Sequence, residues 1–82
     1  MTMNQNNKDF RTADLSLTAA LCVSGFVIRE IERVSSQRSV FLFENGAELP
    51  EAVNQYWRQE MRVEPQEYFN QLKIIKARIY ER

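Results

Sequence analysis

The chain contains no histidine, so the commonest general base and the commonest metal ligand are both missing. Its one cysteine, Cys22, cannot by itself build a zinc site of the Cys/His type. Cys22 falls on the inner side of an apolar helical stretch with no His or Lys beside it, so an inert core thiol is expected. Two glycines do not make a phosphate-cradling loop. Carboxylates remain. Glu30 and Glu32 alternate onto one side of a strand, and with Glu44 from the next strand they are candidates for a hard cation or for acid–base work. Acidic spacing alone selects no metal, and a solvated sheet face with Arg29, Arg33 and Arg38 nearby explains the same pattern. Glu60, at a helix end, is expected to be exposed or paired with an arginine. The expectation is therefore no enzyme, no catalytic residue, no metal and no cofactor.

Binding chemistry is better represented. In the closing stretch "YFNQLKIIKARIYER", Phe69, Lys73, Lys76 and Tyr80 follow at spacings of 4, 3 and 4. Aromatics alternating with ammonium groups suit a platform that stacks bases and neutralises phosphates. Lysine stems also flank core stripes routinely, in which case Phe69 and Tyr80 widen the buried face. Residues 47–66 carry four Glu against two Arg, net −2, and residues 67–82 carry four Lys/Arg against two Glu, net +2. Two such helices most simply pack as an antiparallel pair. The core-rim reading is therefore preferred, then a protein-binding stripe, then a nucleic-acid platform. A second candidate is the turn "RVSSQR", which presents Arg33 and Arg38 at a hairpin tip of the kind that can enter a DNA groove. An ordinary exposed turn has the same composition and is the favoured reading.

The elements that must position these residues follow from periodicity. Residues 1–9 are polar, Asn-rich and aperiodic, and read as a disordered arm. In "FRTADLSLTAALCVSG", Thr12 is placed as the N-cap with Asp14 in the first turn, and Gly25 ends the helix. This helix is apolar nearly all round and needs cover on two sides. "FVIREIERV" and "RSVFLFEN" are β-favouring runs joined by the turn-like "SSQ", hence a hairpin. Phe41 and Phe43 share one face, and Val40 and Leu42 the other. With Ser35 to Arg38 as loop, Glu32 opposes Phe41 and Ile31 opposes Leu42, and a one-residue slip reverses every partner. Asn45-Gly46 is a turn, Pro50 suits the first turn of a second helix, and Pro65 opens a third over about 65–80. The inward stripes are Leu49, Val53, Tyr56 and Trp57, then Tyr68, Leu72, Ile75 and Ile79. The predicted core is Leu15, Ala19, Cys22, Ile31, Phe41, Val53, Trp57, Leu72, Ile75 and Ile79.

Composition agrees with one small globular domain over residues 10–82, of class α+β in the order α-β-β-α-α, with an edge strand near Phe10 to Thr12 as an optional addition. Hydrophobic residues make up 44% and charged residues 27%, and the net charge is zero, which weighs against a general nucleic-acid binder. A single cysteine permits no internal disulfide. No apolar run approaches the roughly 18 residues of a membrane span, and a cytoplasmic location is the expectation.

The residues "FRTADLSLTAAL", "VFLFEN", "AVNQYW" and "RVEPQEYFNQLKIIKARIY" together resemble a small bacterial and phage domain family, a domain of unknown function, over roughly residues 10–80. Its recurrent pieces are an aromatic-x-Thr-x-Asp-Leu start, here Phe10, Thr12, Asp14 and Leu15, and a V-x-P-x-x-[YF]-[FY] helix entry, here Val63, Pro65, Tyr68 and Phe69. The resemblance implies a compact α+β fold and no catalytic residue. The resulting expectation is a small interaction module, an accessory or regulatory protein that acts through an unknown protein partner. Weak nucleic-acid binding through the hairpin tip or the last helix is the alternative, and an open sheet edge offers a route to a homodimer.

Overall fold

The computed structural model describes residues 9–80. The expected disordered arm lies outside these, apart from Asp9, which opens the first strand. The elements are β1 (Asp9–Thr12), α1 (Leu15–Val23), β2 (Ile28–Ser35), β3 (Arg38–Glu44), α2 (Leu49–Trp57) and α3 (Pro65–Tyr80). The fold is α+β, with three helices and one antiparallel sheet ordered β1-β3-β2. The N-terminal edge strand is thus present, and it lies against β3 rather than β2.

That placement makes β3 the central strand and explains why Val40, Leu42, Phe41 and Phe43 are all buried. Phe41 and Phe43 face the helices and join Leu17, Ala19, Leu21, Ile28, Leu49 and Ile75 in the core. Val40 and Leu42 alternate onto the outer face, opposite Glu32 and Glu30. There, two ion pairs run from one edge strand to the other. Arg11 of β1 meets Glu32 of β2 at 2.9 Å, and Asp9 of β1 meets Arg29 of β2 at 2.6 Å. With β3 between the edge strands, both pairs cross over it.

The hairpin register differs by one residue from expectation. Ser35 pairs with Arg38 around a two-residue turn, but a bulge between Arg33 and Ser35 shifts the ladder, so Ile31 opposes Phe41 and Glu32 opposes Val40. The bulge keeps Ile31 and Phe41 on the same, helix-facing side.

The helix ends are set by local hydrogen bonds. Asp14, not Thr12, is the N-cap of α1: the Leu17 N–H donates to Asp14 Oδ1 at 3.0 Å. Thr12 acts one step earlier, its Oγ1 accepting the Asp14 N–H at 3.0 Å, while the Thr18 hydroxyl donates to the Asp14 carbonyl at 2.8 Å. Five consecutive residues of α1, Leu17 to Leu21, are buried, as an all-round apolar helix requires. Its end is a Schellman motif, in which Phe26 N–H reaches the Leu21 carbonyl and Gly25 N–H the Cys22 carbonyl, with Gly25 at φ +108°.

The same motif ends α2. Glu60 N–H donates to the Gln55 carbonyl at 2.8 Å and Gln59 N–H to the Tyr56 carbonyl at 3.0 Å. Here the left-handed position is Gln59, at φ 63°. A side chain in that region costs about 1–2 kcal/mol that glycine avoids. Gln59→Gly is therefore expected to stabilise the domain by about 1 kcal/mol, read as a higher urea midpoint at unchanged slope; a lower midpoint would refute it.

Two packing expectations are corrected. The oppositely charged α2 and α3 do not form a packed pair; α1 packs against both. The α2 charges are satisfied locally, Arg58 bridging Glu51 at 3.2 Å and Glu60 at 3.0 Å, so Glu60 is paired as expected. Trp57 is not core. It is 59% exposed and rests edge-on against Tyr56 with ring centroids 5.0 Å apart. The nine-residue α2 buries Leu49 fully and Val53 and Tyr56 in part, so its last position turns to solvent. The other predicted core residues are buried or packed against the core, which gains Leu17, Leu21, Ile28, Phe43 and Leu49.

Candidate functional site

The start of the last helix is fixed by local signals. Pro65 opens α3, and Glu64 just before it accepts the Glu67 N–H on Oε1 at 2.8 Å. Tyr68, Leu72, Ile75 and Ile79 turn inward as the spacing predicts. The neighbouring flank carries Phe69, Lys73, Lys76 and Tyr80, all exposed. Phe69 and Tyr80 are 60% and 80% exposed, so they do not widen the buried face. Lys73 Nζ sits 5.4 Å from the Phe69 ring centroid, which holds the ammonium on the aromatic face. At 1.5 Å per residue the flank runs about 16 Å from Phe69 to Tyr80.

The hairpin tip meets the end of this flank. Arg33 is not a free tip cation: its guanidinium donates to the Ile79 carbonyl at 2.9 Å and to the Ser36 carbonyl at 3.3 Å. A cation at the last turn also offsets the negative end of the helix dipole. The Arg38 side chain makes no hydrogen bond or ion pair among the described residues. Between the tip and the helix end lies an open groove of about 590 Å³, whose walls include Arg33, Arg38, Ser36 and Tyr80 and whose apolar side is Leu15, Phe41 and Ile79. Of the six residues singled out in the sequence, Arg33, Arg38 and Tyr80 thus come together, and Phe69, Lys73 and Lys76 lead up to them along α3.

Charge is sorted over the molecule. Arg11, Arg29 and Arg58 are paired with carboxylates on the outer sheet face and around α2. Neither residues 33–43 nor residues 68–80 contain an acid, and these two runs form the groove and its approach. The three strand carboxylates do not converge. Glu32 is held by Arg11, and among the described residues no group of three metal-ligating side chains is assembled.

Cys22 is half-buried beside Phe26, Ile74 and Arg78. Burial pushes its thiol pKa up, and Arg78 opposes this only in part. The folded thiol therefore holds its proton more tightly than the unfolded one. Native-state stability is expected to fall as pH climbs from the ordinary thiol range through the raised value. At neutral pH, labelling of the native protein by a thiol reagent should be slower than that of the urea-unfolded chain; equal rates would refute the shift.

The motif residues are accounted for by folding. Phe10 packs against Phe43, Thr12 and Asp14 build the strand-to-helix junction, and Val63 and Pro65 lead into α3. Phe69 is the exception, a motif position left in solvent. Sequence reasoning missed the groove, because it depends on the hairpin tip reaching the end of a helix more than forty residues later. The signal available was the pair of acid-free runs. A family model described as Domain of unknown function (DUF5659) matches residues 7–81. No curated protein and no solved structure matches the chain.

Proposed function

The chain belongs to the DUF5659 family, a domain of unknown function, and from that premise we propose that it is a non-enzymatic interaction module, a cytoplasmic accessory or regulatory protein that binds a protein partner along the outer flank of α3. The observation that carries this reading is the exposure of Phe69 and Tyr80 on one line of a well-anchored helix, with Lys73 and Lys76 between them. Neither ring belongs to the core, and exposed aromatics on a rigid element are the usual anchors of protein interfaces. Among the described residues no helix is long and apolar enough to cross a membrane.

The sheet edges support a dimer less well. β1 has only four residues, and the open side of β2 is interrupted by two bulges and studded with Arg29, Glu30, Glu32 and Arg33. Such features discourage strand pairing between copies. Nucleic acid is the second reading, favoured by the alternation of aromatic and cationic side chains and disfavoured by the zero net charge.

The test is affinity capture from the native host with wild type, Phe69→Ala/Tyr80→Ala, and Trp57→Ala as an exposed-aromatic control. A partner that binds the purified wild-type protein directly, loses about 2 kcal/mol or more of affinity with the double variant and is unaffected by the control is the expected result. Sub-micromolar binding to DNA or RNA near 150 mM salt, with a counterion-release slope of about −0.7 to −0.9 per phosphate, would overturn it in favour of the second reading.

A further inference from the structure

We infer that the groove between the hairpin tip and the end of α3 is the docking point for an acidic peptide segment, with a carboxylate on Arg38 and a neighbouring apolar side chain against the half-buried Leu15 and Ile79. The inference rests on the interaction-module reading and adds to it the chemistry of the partner.

Three observations lead to it. The first is electrostatic. Arg33 is engaged by the Ile79 carbonyl, so it answers the negative end of α3. Among the described residues Arg38 then remains as uncompensated positive charge at the groove, with Lys76 and Lys73 on the adjoining flank. Three of the other exposed arginines, Arg11, Arg29 and Arg58, each hold a carboxylate within 3.2 Å. Among the described residues none that lines the groove is acidic.

The second observation is the apolar side. Leu15 and Ile79, both half-buried, line the same space as Arg38, Ser36 and Ser39, with the core ring of Phe41 beneath them. A nucleic-acid backbone offers phosphates at regular intervals, separated by sugars and without a projecting aliphatic side chain. A peptide offers a carboxylate and an aliphatic or aromatic side chain a few ångströms apart, which matches one cationic wall beside one apolar wall. The third is pre-organisation. Arg33 ties the tip to α3 through two carbonyls, so the walls are fixed before a ligand arrives, and little ordering is required on binding.

The experiment uses fluorescein-labelled peptides of about twelve residues in fluorescence anisotropy. One alternates Asp/Glu with Leu and Phe, one has Asn/Gln in place of each acid, and labelled oligo-dT of similar length is the third probe. The acidic peptide is expected to bind and the amide peptide to bind about tenfold or more weakly. Arg38→Ala should weaken the acidic peptide about tenfold, Arg38→Lys less, and Arg62→Ala, outside the groove, not at all. Equal binding of the acidic and amide peptides, no binding of either, or insensitivity to Arg38→Ala overturns the inference. Tighter binding of oligo-dT with the same dependence on Arg38 overturns it in favour of nucleic acid. A host partner that is lost with Phe69→Ala/Tyr80→Ala but indifferent to Arg38→Ala leaves the interaction module standing and removes this docking point alone.

Discussion

Phe41→Ala is expected to destabilise the domain by about 3–5 kcal/mol, the usual cost of emptying a large aromatic site. Phe41 is 1% exposed, belongs to the central strand, and touches the core on the side where all three helices converge. No neighbouring element can slide in to refill the space, because β3 is held by a strand on each side. A domain of this size has a total stability of about 4–12 kcal/mol, so the variant should be largely unfolded in mild denaturant. Urea unfolding followed by far-ultraviolet circular dichroism measures the effect. A loss under about 1 kcal/mol would mean that the core relaxes around the hole. Leu42→Ala, on the outer face and 4% exposed, serves as a comparison, expected to cost less because its surroundings are side chains of Arg11, Glu30 and Glu32 that can move.

Asp14→Ala is expected to cost about 1–2 kcal/mol. The carboxylate accepts the Leu17 N–H, and that amide belongs to the first turn of a helix whose next residues are completely buried. Without the acceptor the amide is left poorly satisfied at a partly buried position, which is why the upper part of the range applies. Asp14→Asn and Asp14→Ser keep an acceptor oxygen and should recover most of the loss. Asp14 also lies near Tyr56, where burial first and the Asp14 charge second hold the phenol pKa above its ordinary value. In the Asp14→Asn variant the Tyr56 titration should therefore move down by the smaller, electrostatic part of that shift, readable by ultraviolet absorbance. No movement would detach the two groups.

The helices were legible because their signals are local. Pro50 and Pro65 open α2 and α3 within a residue of where they stand in the sequence, and Gly25 stops α1 for a reason contained in its own backbone angle. The stripe Tyr68, Leu72, Ile75 and Ile79 needed only the helical repeat. The hairpin register was not legible, because a bulge beside Val34 leaves no mark on the alternation of hydrophobic residues. Trp57 misled for a different reason: its spacing is correct for the stripe, but it is the last position of α2 and lies past the residues that pack on the core. The charge balance between α2 and α3 misled because net charge contains no geometry, and Arg58 found its partners within its own segment.

The candidate surface was legible as two separate pieces. Arg33 and Arg38 stood out as a basic turn, and Phe69, Lys73, Lys76 and Tyr80 as a helical line. Their meeting is a tertiary fact, and so is the conversion of Arg33 from a free cation into a helix-end donor.

The two ion pairs that cross the outer sheet face bear on how the domain carries mechanical load. β1 is short, and in an antiparallel edge a pull on the chain just before Asp9 unzips backbone hydrogen bonds one after another, which is the weak direction for a sheet. Asp9 is also the residue gripped by Arg29, through two oxygens at 3.0 and 2.6 Å. A tug arriving from that side therefore loads the fork of Arg29 together with the first rung of the ladder, Asp9 against Glu44, and passes in part to β2 over the top of β3. Arg11 and Glu32 repeat the arrangement two residues further in. The sheet is laced from edge to edge at the end where tension enters, like a strap buckled across a hinge, and raising the ionic strength should loosen the buckle while leaving the hinge in place.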